Sequence, residues 1–222
     1  MALTRNALAQ AVVPFYTRRA GILMSAVFGV VVRVGGMSYA CSVTHAIDDR
    51  DEELAVWSGL PPKVARPFSL RGAARCLARV DLRGPGTGIV SDWELGLLAV
   101  PLAGYEGASL DAYADVADGE AALLRPVLIA FPDYEPDRRG VLRRAGNGIA
   151  GLICREDAGH CIVSVQGCAG MSGSPAVVAG DGGLQCLGLY MGTPRTTALT
   201  PELVETRAQV TKMGGFVRDL TG

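Results

Sequence analysis

Glycine and proline interrupt the apolar segments of this chain at short intervals. The 222 residues include 29 glycines and 12 prolines, and long helical patterns are few. Sequences of this kind form short strands joined by tight turns. The clearest case is a pair of apolar runs, Met24 to Val34 and Met37 to Thr44, on either side of Gly35-Gly36, which predicts a β-hairpin. The sequence therefore predicts an all-β fold.

A less patterned, acidic stretch from Ala103 to Leu124 separates two groups of predicted strands. Near the end of the chain, Thr200-Pro201 offers a helix N-cap followed by proline at the first helical position, and apolar residues at roughly helical spacing follow. We therefore predict four segments, namely an N-terminal arm over 1–20, a first β-unit over 21–110, a second β-unit over 111–199 and a C-terminal helix over 200–222.

The charges of the chain nearly cancel, with 21 lysines and arginines against 22 aspartates and glutamates. This balance argues against a long basic surface for nucleic acid. The apolar stretch Ala20 to Val32 follows Arg18-Arg19 and is long enough for the core of a signal peptide, but its valine run favours a strand. We therefore expect a cytoplasmic protein that binds neither nucleic acid nor a membrane.

The string Gly170-Met171-Ser172-Gly173-Ser174-Pro175 places a serine in a glycine-flanked turn just before an apolar strand. Glycines permit a tight turn in which the backbone N–H groups beside the serine converge on one point. Converging donors of this kind form an oxyanion hole, which stabilises the charge that develops on a carbonyl oxygen during acyl transfer. The same string also fits a glycine–serine loop without chemistry.

A serine hydroxyl needs a neighbouring base to act as a nucleophile, and the chain contains 2 histidines. His45 ends an apolar run, whereas His160 lies in a polar segment typical of a hairpin tip. Asp92, at the start of another apolar run, offers a carboxylate that would orient the imidazole. The order His45, Asp92, Ser172 is one of the orders in which catalytic triads occur.

On these residues the sequence resembles the chymotrypsin-like (trypsin-like) serine protease superfamily, taken to include intracellular bacterial and viral members. The segment 170–175 is similar to the family's Gly-x-Ser-Gly-Gly/Ser-Pro, Val43-Thr44-His45 to its strand end before the histidine, and Asp92 with the following strand to its acid segment. The resemblance implies two six-stranded antiparallel β-barrels, followed here by the predicted C-terminal helix. It places the catalytic site in the cleft between the barrels.

The resemblance implies a serine endopeptidase that works through an acyl-enzyme intermediate. Ser172 would attack the peptide carbonyl, His45 would take and return the proton, and Asp92 would fix the imidazole tautomer. The N–H groups of Gly170 and Ser172 would form the oxyanion hole. The family's acid segment also matches the string that begins at Glu94, so Glu94 is the alternative acid, although aspartate is the usual residue.

The resemblance also implies where a protein or peptide substrate binds. The strand that ends at Gly192 would line one side of the primary specificity pocket, and Gln166 would lie at its base. The implied substrate-binding residues are Gln166, Leu189, Tyr190, Met191 and Gly192. None of them is acidic, so a strong preference for lysine or arginine in that pocket is not expected.

Departures from the family pattern bear on the compartment and on regulation. Ala46 stands where secreted members carry a cysteine, and Cys168 has no cysteine partner near residues 192–195. Both features favour reduced thiols. Met171 replaces the aspartate that pairs with a trimmed N-terminus in the family, so we expect control by a regulatory protein partner or by the oxyanion loop. We expect no metal and no cofactor.

A second function remains open at this point. A double-barrel module without catalytic activity, used for protein binding, would share the same fold and most of the same sequence pattern.

Overall fold

The computed structural model describes residues 3–24, 27–59, 69–70, 74–119, 122–136, 141–166, 170–193 and 207–221. Strands predominate in these residues, which confirms the predicted all-β class. The elements, in chain order, are α1 (Arg5–Ala11), β1 (Val12–Arg19), β2 (Ile22–Leu23), β3 (Val27–Val34), β4 (Met37–Val43), a 3-10 turn (Thr44–Ala46), β5 (Glu53–Trp57), β6 (Ser69–Leu70), β7 (Cys76–Asp81), β8 (Val90–Asp92), β9 (Leu97–Pro101), β10 (Leu110–Asp111), β11 (Pro126–Pro136), β12 (Val141–Glu156), β13 (His160–Val163), β14 (Pro175–Gly180), β15 (Gly183–Gly192), β16 (Ala208–Lys212) and α2 (Gly214–Asp219).

The N-terminal sheet has β7-β5-β1-β3-β4-β9-β8 as its main path, with β2 beside β1 and β10 beside β3. The predicted hairpin is confirmed, because β3 and β4 pair antiparallel up to Val34 opposite Met37. Gly35 and Gly36 form its turn with φ of +56° and +79°. This left-handed backbone favours glycine, which explains the glycine pair.

The C-terminal strands close into a six-stranded barrel. They follow the order β11-β14-β15-β16-β13-β12, and β12 pairs again with β11. Ile129, Ile153, Val163 and Val210 are buried within one core cluster of this barrel. The short strand β6 adds to the edge of β12 in parallel.

Sequence analysis predicts two closed six-stranded barrels, but the structure has one closed barrel and one open sheet. In the described part of the chain, no pairing joins β7 at one edge of the N-terminal sheet to β8 at the other. The strand β8 is only 3 residues long and pairs with β9 alone. Too few ladder hydrogen bonds are therefore available at this edge to close the sheet on itself.

The C-terminal segment also differs from its prediction. Residues 200–206, where the helix was expected to begin, lie outside the described residues, and Ala208–Lys212 form a strand that closes the barrel. Ala208 and Val210 are buried and Gln209 is half-buried, which is the period of a strand. The predicted helix is confined to Gly214–Asp219.

The segment predicted as an arm contains α1 and β1. Helix α1 begins after Thr4, whose hydroxyl accepts a hydrogen bond from the N–H of Ala7. Strand β1 then lies between β3 and β5, and Pro14 pairs opposite Phe28 within it.

One hydrophobic core cluster joins the two sheets. Val30, Cys41 and Leu97 contribute from the N-terminal sheet, and Val177 and Leu189 contribute from the barrel. This shared core fixes the ends of β4 and β14 relative to one another. None of the helices in the described residues has the length and hydropathy needed to cross a membrane.

Candidate active site

Ser172 lies in the turn that precedes β14, and the turn is anchored from both sheets. The N–H of Phe28, on β3, donates to the carbonyl oxygen of Ser172 at 2.7 Å. The N–H of Gly173 donates to the carbonyl oxygen of Tyr190 on β15 at 2.8 Å. The serine therefore lies at the junction of the two sheets, with its side chain half-buried.

Gly173 makes the tightest approach in this turn. It has a φ of +78°, and a Cβ atom at this position would lie 1.8 Å from the carbonyl oxygen of Phe28 and 2.8 Å from Oγ of Ser42. The hydroxyl of Ser42 itself donates to the carbonyl oxygen of Phe28 at 2.6 Å. Only glycine fits here, because it lacks a Cβ and adopts positive φ without strain.

His45 lies three positions after Ser42, in the 3-10 turn that follows β4. The N–H of Thr44 donates to the carbonyl oxygen of Gly96 at 2.8 Å, which ties this turn to the start of β9. The side chain of His45 is exposed and lines a cavity of about 230 Å³. The contact between Gly173 and Ser42 therefore links the serine turn to the end of β4, which leads to His45.

The two candidate acids occupy different positions. Asp92 is the last residue of β8, and its Oδ1 accepts a hydrogen bond from the N–H of Leu95 at 2.9 Å. Glu94 lies in the turn between β8 and β9 and lines the cavity that contains His45, whereas Asp92 does not line it. Glu94, the alternative acid, therefore lines the same cavity as His45, and Asp92 does not.

Met191 connects this turn to the barrel. Its Cε lies 2.8 Å from where a Cβ of Gly96 would be, and Gly96 has a φ of +73°. Met191, Thr193, Gln209 and His160 bring the barrel side to the His45 cavity. The cavity is thus built from both sheets, as a catalytic cleft between two units requires.

The predicted oxyanion donors lie on either side of Met171. Gly170 has a φ of +87° and is exposed, whereas Met171 is 5% exposed and packs in the core of the barrel. Within the described residues, neither the N–H of Gly170 nor that of Ser172 donates to a protein acceptor.

The predicted substrate-binding residues differ in how deeply they are buried. Gln166 is exposed, and Met191 and Gly192 are half-buried. Leu189 and Tyr190 are buried in the shared core and in the barrel core. The N–H of Tyr190 donates to the carbonyl oxygen of Ser174, and its own carbonyl oxygen accepts from the N–H of Gly173, both at 2.8 Å.

The cysteines are free thiols in the described part of the chain, and Cys168 lies outside it. Burial raises the pKa of the Cys41 thiol far above its usual range, and burial raises the pKa of Cys186 to about 12. No group of three or more metal-ligating side chains occurs in the described residues.

Three residues near the candidate site are missed by sequence analysis: Ser42, Phe28 and Trp93. Trp93 lines the cavity that contains His45. Ser42 and Phe28 hold the serine turn through backbone and hydroxyl contacts, for which the sequence carries no signal. The turn that separates Asp92 from β9 does have a signal, because an aspartate followed by a glycine four residues later is typical of a hydrogen-bonded turn.

Comparison with known proteins supports the fold alone. No protein-family model matches the chain, and no curated protein matches it. Solved structures do match. Catalytically active tobacco etch virus protease complexed with product has a TM-score of 0.61 at 10% identity, covering 100% of this chain and 81% of that one.

Two further proteases show the same similarity. Tobacco vein mottling virus protease has a TM-score of 0.55 at 13% identity over 96% of this chain and 81% of that one. The serine endoprotease from Yersinia pestis has a TM-score of 0.55 at 13% identity over 100% of this chain and 66% of that one. The chain therefore has the fold of the chymotrypsin-like proteases.

Proposed function

We propose that this protein is an endopeptidase that hydrolyses peptide bonds with Ser172 as nucleophile and His45 as general base. The observation that carries the proposal is the packing of Gly173 against Phe28 and Ser42. This contact holds the serine turn of one sheet against the strand of the other sheet that leads to His45. The similarity in fold to viral and bacterial proteases supports it.

The reaction proceeds in two halves. Oγ of Ser172 attacks the carbonyl carbon as His45 takes its proton, and the N–H groups of Gly170 and Ser172 bind the oxyanion. The intermediate collapses to an acyl-enzyme, and the departing amine takes the proton from His45. Water then attacks the acyl-enzyme as His45 takes a proton from it. The peptide acid leaves as His45 returns that proton to Oγ of Ser172.

We assign Glu94 as the acid that orients His45. Its position in the His45 cavity supports this assignment. Asp92 has another role, because its carboxylate accepts the N–H of Leu95 and so closes the turn that carries Glu94. This assignment reverses the preference drawn from the sequence.

Three of the five described thiols are poorly suited to act as the nucleophile, which supports serine in this role. Cys41 and Cys186 are buried in the shared core with raised pKa values, and burial raises the pKa of Cys161 to about 11. A cysteine nucleophile needs a lowered pKa and access to substrate. Ser172 lies in the turn whose Gly170 and Ser172 N–H groups donate to no acceptor among the described residues.

Regulation by a protein partner stays a prediction. Its support is that residue 171 is a buried methionine, so this position has no carboxylate to pair with a trimmed N-terminus.

In the primary specificity pocket, Gln166 and the backbone of Met191 and Gly192 would contact the substrate.

The test is labelling of the purified protein with a fluorophosphonate probe, which reacts with activated serines. We expect labelling of the wild type and its loss in Ser172→Ala and His45→Ala. Ser174→Ala is the matched control, because its hydroxyl is buried without a hydrogen-bond partner in the described residues, so its removal leaves the turn intact. Labelling that persists in Ser172→Ala, or an unlabelled wild type, would overturn the proposal.

A further inference from the structure

A cavity of about 410 Å³ adjoins the candidate active site. It lies between the segment that follows His45 and the segment that connects β7 to β8. Thr44 and Trp93 line both this cavity and the one that contains His45. A peptide bound at Ser172 and His45 would therefore have this cavity within reach of a neighbouring side chain.

The lining of the cavity is part polar and part apolar, and it includes one exposed aromatic side chain. Ile47, Leu82, Ile89 and Leu98 form the apolar surface. Trp93 is 71% exposed, so its indole is available to a ligand. Exposed indoles bind the cationic groups of arginine and lysine, whose aliphatic stems lie well on apolar surface.

Three carboxylates line the cavity, and two of them are already neutralised. Asp51 accepts hydrogen bonds from Nε and Nη2 of Arg19 at 3.1 and 2.9 Å. Asp48 accepts from Nε and Nη2 of Arg50 at 2.9 and 3.0 Å. The side-chain hydrogen bonds from Arg50 hold the pKa of Asp48 well below its usual range, so Asp48 stays ionised and paired.

Asp49 is the carboxylate that remains. In the described part of the chain it makes no ion pair, and its side chain is exposed. Asp49 interacts with the charge of Arg50 without forming an ion pair, so among the lining carboxylates it is the one that no cation contacts in the described residues. The cavity thus combines an apolar surface, an exposed indole and one unneutralised carboxylate.

We propose that this cavity binds a basic side chain of the peptide substrate, arginine or lysine, close to the scissile bond. The inference rests on the proposed function and specifies its substrate class. Asp49 is the specificity-determining residue. Its carboxylate pairs with the cationic group, and the indole of Trp93 makes a cation–π contact with the same group. The aliphatic stem lies on Ile47 and Ile89. The cavity is separate from the primary pocket at Gln166, where no acid is expected.

The experiment digests a diverse peptide library with the purified protein and reads every cleavage site by mass spectrometry. We expect arginine and lysine to be enriched at one position near the cleaved bond. For a single cleaved peptide, replacing that residue with glutamine should lower kcat/KM by about 5-fold to 10-fold, the range of a partly exposed ion pair with cation–π support. Asp49→Asn should remove most of this difference, and Asp49→Lys should reverse it.

Asp181→Asn is the control, because it removes the same charge from the exposed turn between β14 and β15. It should leave the preference unchanged. Cleavage that depends on Ser172 but shows no basic preference, or a preference that Asp49→Asn does not alter, would overturn this inference and leave the proposed function in place. A protein that cleaves no peptide and takes no fluorophosphonate label would overturn both.

Discussion

Gly173 and Phe28 meet backbone to backbone, since a Cβ atom on Gly173 would lie 1.8 Å from the carbonyl oxygen of Phe28. The contact joins the serine turn of the barrel to β3 of the N-terminal sheet. Because β3 pairs with β4, whose end leads to His45, this contact links the serine turn to the strand that precedes the histidine.

Gly173→Ala should separate the two sheets at this point. The added methyl group meets backbone that cannot give way, and φ of +78° is strained for alanine. We expect loss of fluorophosphonate labelling and a loss of more than about 2 kcal/mol in the free energy of unfolding. Thermal denaturation and labelling measure the two effects.

Gly36→Ala is the matched control for this prediction. Gly36 has nearly the same φ, +79°, but nothing lies within 4 Å of its Cβ position. It should cost about 1–2 kcal/mol and leave labelling intact. Equal loss of labelling in both variants would show that strain, and not the contact with Phe28, controls the site.

Glu94→Gln and Asp92→Asn should differ sharply in activity. Glutamine at position 94 removes the charge that stabilises the imidazolium, so we expect kcat to fall by about 10²-fold to 10⁴-fold. Asparagine at position 92 keeps an oxygen that accepts the N–H of Leu95, so the turn persists and kcat should change by less than about 5-fold. Steady-state kinetics on a cleaved peptide decides between the acids, and the reverse order of effects would restore Asp92.

The ion pair between Lys212 and Glu156 should contribute to stability, because both side chains are largely buried, at 13% and 14% exposure. Glu156→Gln leaves the ammonium of Lys212 without its charged partner, and we expect a loss of about 2–4 kcal/mol. Arg83→Ala, which breaks an exposed pair with Glu52, should cost less than about 1 kcal/mol. Urea denaturation of the variants measures both, and similar losses would contradict the role of burial.

The buried thiols should be protected from alkylation in the folded protein. Cys154 is exposed and should react with iodoacetamide, whereas Cys41 and Cys186 should react only after unfolding. Since burial raises the pKa of Cys186 from its ordinary value of 9.0 to about 12, the folded state retains a proton that the unfolded state releases. The contribution of the protonated Cys186 thiol to the free energy of unfolding is therefore complete below pH 9 and is lost as the pH rises towards 12.

Mass spectrometry of alkylated peptides and denaturation at several alkaline pH values test these statements. Rapid alkylation of Cys186 in the folded protein would contradict them.

The features predicted correctly from the sequence are local ones. The hairpin around Gly35-Gly36 follows from two apolar runs and a turn that needs positive φ, all within the segment Met24 to Thr44. The choice between Asp92 and Glu94 depends on a less local feature. Strand β8 ends at Asp92, and the hydrogen bond from the N–H of Leu95 to Asp92 places Glu94 in the turn that follows.

The C-terminal segment shows how a periodicity misleads. Ala208 and Val210 belong to a strand and Phe216 and Val217 to a helix, and their combined spacing is similar to that of one longer helix. Pairing with β13 and β15 decides the outcome, because the strand closes the barrel and buries both residues.

The sequence by itself determined the all-β class, the glycine turn around Ser172 and the candidate histidine, since each depends on residue types within a short segment. Only the tertiary structure decided that one sheet closes and the other stays open, that Glu94 lies in the cavity with His45, and that Asp49 makes no ion pair with the described residues. These outcomes depend on contacts between residues far apart in the chain. The free energy of such contacts comes from packing and pairing across the fold, which local patterns of hydrophobicity and charge do not encode.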